Sequence, residues 1–215
     1  MLYFPVCLDL KDKKCVVIGG GAVAERKVLA LLSCRARVTV VSPEVTVELE
    51  KLSTGEKVNW LQRTYRTGDL AGAFVAVAAT GEARINRLVS EEAFRTGVLV
   101  NVVDAPELSN FIVPATMRRG NLSISVSTDG KSPLLARRIR EKLEEEYDHA
   151  YAGYLNLLGE ARDLVLQRVG DPGRRREYFR SLIDEGGLLE VVRQEGVDKA
   201  REVMYQLLAD LGVLD

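Results

Sequence analysis

The sequence has few of the residues that bind metals or form disulfides. Among its 215 residues are one histidine, His149, and three scattered cysteines, Cys7, Cys15 and Cys34. It contains no Cys-x-x-Cys pair and no histidine cluster, which excludes a structural zinc site, and we predict no metal ligands. A small, odd number of cysteines also argues against a disulfide framework and is typical of proteins from a reducing compartment.

Long apolar runs and an excess of one charge are missing as well. No apolar run approaches the roughly 18 residues that a membrane-spanning helix needs. The first ten residues have neither a basic stretch nor a small-residue cleavage signal, so we predict a cytoplasmic protein without a signal peptide. Thirty Lys and Arg against 31 Asp and Glu give a net charge of -1. We therefore predict neither nucleic acid nor a membrane as a partner.

The first half of the chain alternates short β-branched segments with helical patterns. This alternation is typical of βαβ units on a parallel sheet, and the near-continuous apolar segments suit strands covered on both faces. The predicted strands are residues 14–18, 37–41, 58–62, 74–78 and 98–102. Apolar residues at three- and four-residue spacing predict helices over 23–33 and 83–96. We predict an α/β fold with a Rossmann-like parallel sheet, in a cofactor-binding domain of residues 1–113.

The pattern changes after Asp104. Residues 121–127 alternate polar and apolar side chains as a half-buried strand does, and a long helix is predicted over 132–147, with Ser132 as its N-cap. We assign residues 114–149 to a mixed α/β segment for dimerisation and substrate binding. Residues 150–215 have helical periodicity throughout, which predicts a small helical C-terminal domain of three or four short helices.

A glycine-rich turn joins the first predicted strand to the first predicted helix. Gly19-Gly20-Gly21-Ala22-Val23-Ala24 has the spacing Gly-x-Gly-x-x-Ala. The first glycine permits a tight turn, Gly21 lets the backbone approach a pyrophosphate, and Ala24 allows close packing of helix on strand. The start of the helix directs unpaired N–H groups at the phosphates. The motif predicts a dinucleotide site, and a plain turn is the alternative.

The acidic residue that usually follows the second strand of such a fold is not in its usual place. That residue accepts a hydrogen bond from the ribose 2′-hydroxyl, whereas this chain has Val41-Ser42-Pro43-Glu44 there. Ser42 or Glu44 would serve, or either would cap the next helix. No arginine directly follows the strand to receive a 2′-phosphate, which favours NAD over NADP. Arg35 and Arg37, before the strand, leave NADP open.

The last predicted strand ends in Asn101-Val102-Val103-Asp104. Ligands of open α/β sheets bind beyond the carboxyl ends of the strands. A carboxylate delivered there, near the nicotinamide, is a candidate general base, so Asp104 is our predicted catalytic residue. From position alone, an aspartate that serves only a turn or a helix cap is the alternative.

Several motifs occur in unbroken order along residues 1–147. They are Val-Val-Ile-Gly-Gly-Gly-Ala-Val-Ala-Glu-Arg-Lys at 16–27, Ala-Ala-Thr at 78–80, Asn-Val-Val-Asp-Ala-Pro at 101–106, Phe-Ile-Val-Pro-Ala at 111–115, Ser-Ile-Ser-Val-Ser-Thr-Asp-Gly-Lys-Ser-Pro at 123–133 and Leu-Ala-Arg-Arg-Ile-Arg-Glu-Lys-Leu at 135–143. Together they closely resemble the precorrin-2 dehydrogenase family, the dehydrogenase and chelatase module of siroheme synthase. The motifs at 101–106 and 111–115 are more specific than the glycine turn.

The resemblance implies NAD-dependent oxidation of precorrin-2 to sirohydrochlorin in siroheme biosynthesis, sometimes followed by insertion of ferrous iron in the same protein. It also implies an intertwined homodimer, and it matches the family's key aspartate to Asp104. We expect no methyltransferase domain, because 215 residues leave no room for one. Where the family often has Ser-Ser-Gly-Gly, this chain has Ser127-Thr128-Asp129-Gly130, which keeps a hydroxyl at Thr128.

The implied substrate is a polycarboxylate, and one part of the chain is basic. Residues 118–142 contain seven basic and two acidic residues, a local charge of +5. Arginine binds carboxylates bidentately and hydroxyls donate hydrogen bonds, although a solvated helix face is the alternative. We predict cofactor contacts at Gly19, Gly21, Ala22, Val23, Ser42, Pro43, Glu44, Thr80 and Val102. We predict substrate contacts at Asn101, Ser127, Thr128, Lys131 and Arg137.

Two other functions remain open at this point. A Rossmann module that senses NAD would bind the nucleotide without turnover and would give Asp104 no role. A protein that has kept the fold but lost the dehydrogenase would be a chelatase only. His149 follows the acidic run 144–148, where a metal role and a solvated helix end are both open.

Overall fold

The computed structural model describes residues 3–184 and 187–214. The chain divides into two compact units, Met1–Val113 and Pro114–Asp215. The first unit carries the parallel sheet, and the second carries a hairpin followed by helices. The further division of the second unit at residue 149, into a dimerisation segment and a helical domain, stays a prediction.

The first unit is a five-stranded parallel sheet in the order β3-β2-β1-β4-β5, counted over its described residues. The strands are β1 Lys14–Ile18, β2 Arg37–Val41, β3 Val58–Leu61, β4 Val75–Ala78 and β5 Leu99–Val102. The helices are α1 Ala22–Ser33, α2 Val47–Thr54 and α3 Ala83–Thr96, with a short 3-10 helix at Pro106–Leu108. This is the strand order of a Rossmann sheet, in which successive strands are added on one side of β1 as far as β3 and on the other side from β4 onward. The predicted fold class is confirmed.

Strands β1 and β4 of the sheet are buried on both faces. Val17 of β1 packs in one apolar cluster with Val28 of α1, whereas its neighbour Ile18 packs in a second cluster with Val89 of α3. Successive side chains of a strand point to opposite faces of the sheet. A strand that is covered on both faces therefore has mostly apolar side chains at all its positions. This burial explains why the segments of β1 and β4 are almost entirely apolar.

The second unit begins with an antiparallel hairpin and continues as helices. The strands are β6 Ala115–Arg119 and β7 Leu122–Val126, and the helices are α4 Pro133–Glu146, α5 Ala150–Arg168, α6 Pro172–Asp184, α7 Leu188–Glu195 and α8 Val197–Asp210. As predicted, Ser132 is the N-cap of α4, and its hydroxyl accepts a hydrogen bond from the Leu135 N–H at 3.3 Å. Strand β6 was not predicted, because only Met117 of its five residues is buried. Helix α5 has 19 residues and is longer than the short helices we predicted.

The three cysteines of the chain carry free thiols. Cys15 lies in β1 within the core, and burial raises the pKa of its thiol to about 11. The thiol is therefore neutral at physiological pH and packs as a small apolar group. None of the helices in the described ranges combines the length and the hydropathy needed to cross a membrane.

Candidate functional site

A cavity of about 510 Å³ opens at the carboxyl ends of β1, β2 and β4. It is lined by residues 18–21 with the glycine turn, by residues 41–46 at and after the end of β2, by residues 79–82 after β4, and by Thr64, Tyr65 and Ile85. This is the point where the strand order reverses, the place at which open α/β sheets bind their ligands. The cavity therefore contains six of the predicted cofactor contacts, which are Gly19, Gly21, Ser42, Pro43, Glu44 and Thr80.

The three glycines of the turn have different structural roles. Gly19 has φ +116°, and a Cβ there would lie 2.4 Å from the carbonyl oxygen of Ala79. A Cβ on Gly20 would lie 2.0 Å from the carbonyl oxygen of Glu44, so the fold itself requires both glycines. A Cβ on Gly21, in contrast, would meet no atom of the described chain within 4 Å. Gly21 thus leaves open space beside the backbone, which suits the close approach of a pyrophosphate.

The first turn of α1 adds backbone donors to this space. The N-cap of the helix is Gly21, and no side chain caps the first turn. The leading N–H groups of a helix have no partner within the helix, and together with the helix dipole they form an anion site. Ala22 and Val23, two predicted cofactor contacts, belong to this turn, although neither lines the cavity.

The segment after β2 is shaped by the buried residue Ser42. Its hydroxyl donates to the carbonyl oxygen of Glu44 at 2.6 Å, and its own carbonyl oxygen accepts from Trp60 Nε1 at 2.9 Å. Helix α2 is capped by Thr46, whose hydroxyl accepts from the Leu49 N–H at 3.3 Å. The alternative that Ser42 or Glu44 caps this helix is therefore wrong. Glu44 instead lines the cavity with an exposed side chain.

The charge of the cavity lining is negative. Among the described lining residues Glu44 and Glu82 are acidic, and none is basic. A ribose 2′-hydroxyl can donate a hydrogen bond to a carboxylate, whereas a 2′-phosphate would be repelled by it and would find no cation. The lining therefore favours NAD over NADP.

The wall after β4 is fixed by Asn86, a residue that the sequence analysis missed. The Thr80 hydroxyl donates to Asn86 Oδ1 at 2.8 Å, and Asn86 Nδ2 donates to the Thr80 carbonyl oxygen at 3.0 Å. Asn86 is buried in the first turns of α3. A polar side chain on the inward face of an amphipathic helix was the available signal for this role.

Asp104 lies in a tightly held turn after β5. It is exposed and adopts φ 59°, in the left-handed region that aspartate and asparagine tolerate better than other side chains. The buried Ser109 hydroxyl accepts from the Val102 N–H at 2.9 Å and donates to the Ala105 carbonyl oxygen at 3.1 Å, on either side of Asp104. The N-cap of the 3-10 helix is Ala105, and no side chain caps it. The helix-cap alternative for Asp104 is therefore wrong, whereas the alternative that Asp104 serves only the turn stays open.

Lys27 of α1 is an electrostatic neighbour of Asp104. Its pKa is lowered, chiefly by burial and then by Arg26, while the charge of Asp104 acts in the opposite direction. Lys27 was not predicted, because its only signal was a basic residue on a helix. Within the described chain no hydrogen bond occupies the Asp104 carboxylate, so its lone pairs are available.

Two predicted contacts on β5 take part in packing. Asn101 Nδ2 donates to the Phe111 carbonyl oxygen at 3.3 Å. Val102 is buried, and its N–H donates to Ser109. Neither residue lines the cavity. Their contacts with substrate and cofactor stay predictions.

The predicted substrate residues of the second unit are exposed or partly exposed. The Ser127 hydroxyl accepts from the Asp129 N–H at 3.1 Å, and the Thr128 hydroxyl accepts from the Ser132 N–H at 3.0 Å, so both shape the loop before α4. Lys131 lies in the same loop with an exposed side chain. Arg137 is 71% exposed and pairs with Glu141 at 2.7 Å. Their contacts with substrate also stay predictions.

His149 lies before α5 with an exposed side chain and does not cap the helix through its imidazole. Over residues 3–184 and 187–214, no three His, Cys, Asp or Glu side chains are grouped so that they could hold a metal ion.

The connection between β3 and β4, residues 62–74, contains an ion pair with two hydrogen bonds. Asp69 accepts from Arg63 at 2.7 and 2.8 Å and from the Arg66 N–H at 2.8 Å. The hydrogen bonds from Arg63 are the main reason why the pKa of Asp69 lies below its ordinary value. Because the side chain of Asp69 is only 9% exposed, this pair is partly protected from solvent screening.

The lowered pKa of Asp69 predicts a stability loss in acid. A carboxylate whose folded pKa is depressed stabilises the fold fully above the ordinary aspartate pKa of about 3.9 and loses that contribution as the pH falls further. We expect urea unfolding to show a steeper fall in the free energy of unfolding below about pH 5 for the wild type than for Asp69→Asn. Asp163→Asn, an exposed position on α5, should keep the wild-type slope. Equal slopes for Asp69→Asn and the wild type would contradict this role.

Three family models match consecutive parts of the chain. One described as NAD(P)-binding matches residues 6–115, one described as sirohaem biosynthesis protein central matches 119–146, and one described as sirohaem synthase dimerisation region matches 151–208. The dimerisation model thus falls on α5 to α8, whereas the sequence analysis assigned dimerisation to residues 114–149.

Curated relatives of the chain are siroheme synthases, which fits these family models. Siroheme synthase of Methylobacillus flagellatus is 38% identical over 210 residues, which are 98% of this chain and 45% of that protein. Siroheme synthase of Thioalkalivibrio sulfidiphilus is 39% identical over 208 residues, 97% of this chain and 42% of that protein. The chain thus spans less than half the length of these relatives.

A solved structure titled "SirC, precorrin-2 dehydrogenase" has a TM-score of 0.79 and 31% sequence identity, and the match covers 96% of this chain and 100% of that chain. The NAD(P)-binding model alone matches more than half of the chain. The chain therefore belongs to the precorrin-2 dehydrogenase family, the family that its motifs resemble.

Proposed function

We propose that this protein oxidises precorrin-2 to sirohydrochlorin in siroheme biosynthesis, with NAD as the hydride acceptor. One observation carries the proposal: a cavity with an open glycine cradle lies at the sheet edge where Asp104 presents an unoccupied carboxylate. The full-length likeness to a structure titled as a precorrin-2 dehydrogenase supports the same reaction. An NAD sensor without turnover would have no use for that carboxylate.

The residues of the cavity fit a dinucleotide. Gly21 leaves space for the pyrophosphate, and the first turn of α1 offers its backbone N–H groups to it. Glu44, exposed in the lining, would accept a hydrogen bond from the ribose 2′-hydroxyl. NAD, when bound, supplies a ring carbon that accepts a hydride.

Asp104 acts as the general base in this proposal. Conversion of precorrin-2 to sirohydrochlorin removes one hydride and one proton, which extends the conjugation of the macrocycle. The Asp104 carboxylate accepts the proton, and the turn held by Ser109 keeps the carboxylate at the sheet edge. A positioned carboxylate in this role contributes roughly 10²–10⁴-fold to the rate.

The substrate is a polycarboxylate, so binding requires cations and hydroxyl donors. We propose that Lys131 and Arg137, with the hydroxyls of Ser127 and Thr128 and the amide of Asn101, contact its carboxylates. The local charge of +5 over residues 118–142 supports this proposal. Arg137 would exchange its exposed partner Glu141 for a substrate carboxylate, because a surface ion pair contributes little to stability.

Three further features belong to the same proposal. The match to a dimerisation region supports a homodimer. The free thiols suit a reducing compartment, and we place the reaction in the cytoplasm. Ferrous iron is the proposed second substrate, with Asp104 accepting one of the two pyrrole protons that the iron displaces and solvent accepting the other.

The experiment is a two-step spectroscopic assay under anaerobic conditions. Precorrin-2 and NAD are mixed with the protein, the visible spectrum is followed, and ferrous iron is then added. We expect the spectrum of sirohydrochlorin first and that of siroheme second. An unchanged spectrum in the first step contradicts the dehydrogenase, and an unchanged spectrum in the second contradicts the chelatase. A change only in a second step started with added sirohydrochlorin identifies a chelatase alone.

The acidic lining predicts a preference between the two nicotinamide cofactors. We expect the Kd of NADP to exceed that of NAD by about tenfold or more, because a 2′-phosphate would lie close to the Glu44 carboxylate. Glu44→Gln should lower the ratio of the two Kd values, because it weakens the binding of NAD and strengthens the binding of NADP. Glu48→Gln, at an exposed position of α2 outside the lining, should keep the wild-type ratio. Calorimetric titrations of the wild type and both variants measure all six dissociation constants, and tighter binding of NADP than of NAD to the wild type would contradict the assignment.

A further inference from the structure

A charged side chain is buried in the core of the first unit. Glu92 of α3 is 4% exposed. Its Oε2 atom accepts a hydrogen bond from the Tyr65 hydroxyl and a second one, at 2.9 Å, from the Gly68 N–H. Its Oε1 atom accepts a hydrogen bond from the Leu70 N–H at 3.1 Å. A buried carboxylate is costly unless its oxygens are satisfied, and here three donors satisfy them.

All three donors of Glu92 lie in one segment, the 62–74 connection between β3 and β4. Two residues of this connection, Thr64 and Tyr65, line the cavity. Tyr65 is 7% exposed and packs in the same cluster as Ile18 and Val41, the last residues of β1 and β2. Tyr65 therefore joins the buried carboxylate to the rim of the cavity.

The hydroxyl of Tyr65 is held as a donor. Burial and the neighbouring Glu92 carboxylate raise the pKa of the Tyr65 phenol far above its ordinary value. The phenol thus stays protonated over the physiological pH range. Glu92 itself does not line the cavity, so it would act on a ligand through the residues that it holds, of which Tyr65 lines the cavity.

We propose that Glu92 is a positioning residue for the cofactor, because it fixes Tyr65 and the 62–74 connection as one wall of the cavity. This inference rests on the proposed function, since it takes the cavity to be the NAD site. The apparent affinity of a ligand falls in proportion to the population of the competent conformation. A wall that is held in place therefore lowers the Kd for NAD, while the chemistry at Asp104 is left unchanged.

Glu92→Gln tests the carboxylate with little change in volume. An amide has one acceptor oxygen, and its NH₂ group would face a donor, so three donors cannot all be satisfied. We expect the Kd and the KM for NAD to rise about tenfold, because hydrogen bonds to a buried charge are the stronger ones. At saturating NAD, kcat and the KM for precorrin-2 should stay near wild-type values.

Tyr65→Phe removes only the hydroxyl link and is the second variant. We expect its Kd for NAD to rise about fivefold, as befits one hydrogen bond. Glu91→Gln is the matched control, because Glu91 precedes Glu92 on the same helix and its side chain is exposed. We expect its Kd to equal that of the wild type.

The experiment titrates NAD into the wild type and the three variants below their unfolding temperatures. The single tryptophan, Trp60, is the reporter, since its Nε1 bonds to Ser42 in the cavity lining. Wild-type Kd values for Glu92→Gln and Tyr65→Phe, even with a lowered Tm, would overturn the inference and leave the proposed function intact. If Glu92→Gln does not fold, Tyr65→Phe decides alone. A wild type that fails to bind NAD would overturn the proposed function itself and the inference with it.

Discussion

Asp104→Asn is expected to lower kcat for precorrin-2 oxidation by roughly 10²–10⁴-fold, because an amide cannot accept the proton. Asparagine tolerates the left-handed φ of 59° about as well as aspartate, so the turn after β5 should keep its shape. The Kd for NAD should not change, since Asp104 does not line the cavity. Anaerobic initial rates at saturating NAD measure the effect.

The control for Asp104→Asn is a neighbouring carboxylate. Glu107 lies in the 3-10 helix that follows, and its side chain is exposed. Glu107→Gln removes one negative charge from the same edge of the unit and should leave kcat within about twofold, because exposed charges at a distance are screened. A wild-type rate for Asp104→Asn, with intact NAD binding, would show that Asp104 is not the base.

Gly21→Val is expected to raise the Kd for NAD on the order of 100-fold, the upper range of overpacking costs. The new side chain would meet no atom of the described chain at its Cβ, so the protein should fold with a Tm near that of the wild type. The same side chain would fill the space that the pyrophosphate needs. Titration of NAD, together with thermal unfolding, separates the two effects.

Gly170→Val is the matched control for this substitution. Gly170 belongs to the second unit, is exposed, and has open space around its Cβ position. We expect wild-type affinity for NAD. Gly20→Val, in contrast, should unfold or aggregate, because its Cβ would lie 2.0 Å from the Glu44 carbonyl oxygen. Wild-type NAD affinity in Gly21→Val would exclude the glycine turn as the pyrophosphate cradle.

The sheet could be predicted from local patterns because burial favours the near-continuous apolar segments that form its strands. The bounds of β1 and β2 were predicted to the residue. Strand β6 could not be predicted, since one buried residue, Met117, gives no periodicity. Helix α5 was underestimated for a different reason: it continues through Gly153 and Gly159 and ends at Arg168, just before Gly170 and Pro172.

The cavity that we propose as the cofactor site was predictable where a backbone requirement selects a residue type. Gly21 is such a position, because only the absence of a side chain leaves its cradle open. Side chains that hold another segment through hydrogen bonds were not predicted. Asn86, which bonds to Thr80, and Glu92, which bonds to Tyr65, are the two examples. Their partners lie 6 and 27 residues away, and only the folded chain brings Glu92 and Tyr65 together.

The net charge of the chain did not predict how charge is distributed along it. The net charge of -1 gave no sign of an anionic ligand, yet residues 118–142 carry +5 while the described lining of the cavity carries two carboxylates and no cation. Backbone N–H groups at the start of α1, rather than basic side chains, would meet the pyrophosphate. Local placement of charge thus separates the proposed sites for the dinucleotide and for the polycarboxylate.

One anaerobic turnover experiment measures both products of the proposed reaction. Precorrin-2 is incubated with excess NAD and the protein, and NADH and sirohydrochlorin are quantified at the same times. We predict that the two products form in equimolar amounts, rapidly with the wild type and at least about 100-fold more slowly with Asp104→Asn. Tight binding of NAD with no NADH formed, or sirohydrochlorin formed without an equal amount of NADH, would contradict the assignment of this protein as an NAD-dependent dehydrogenase.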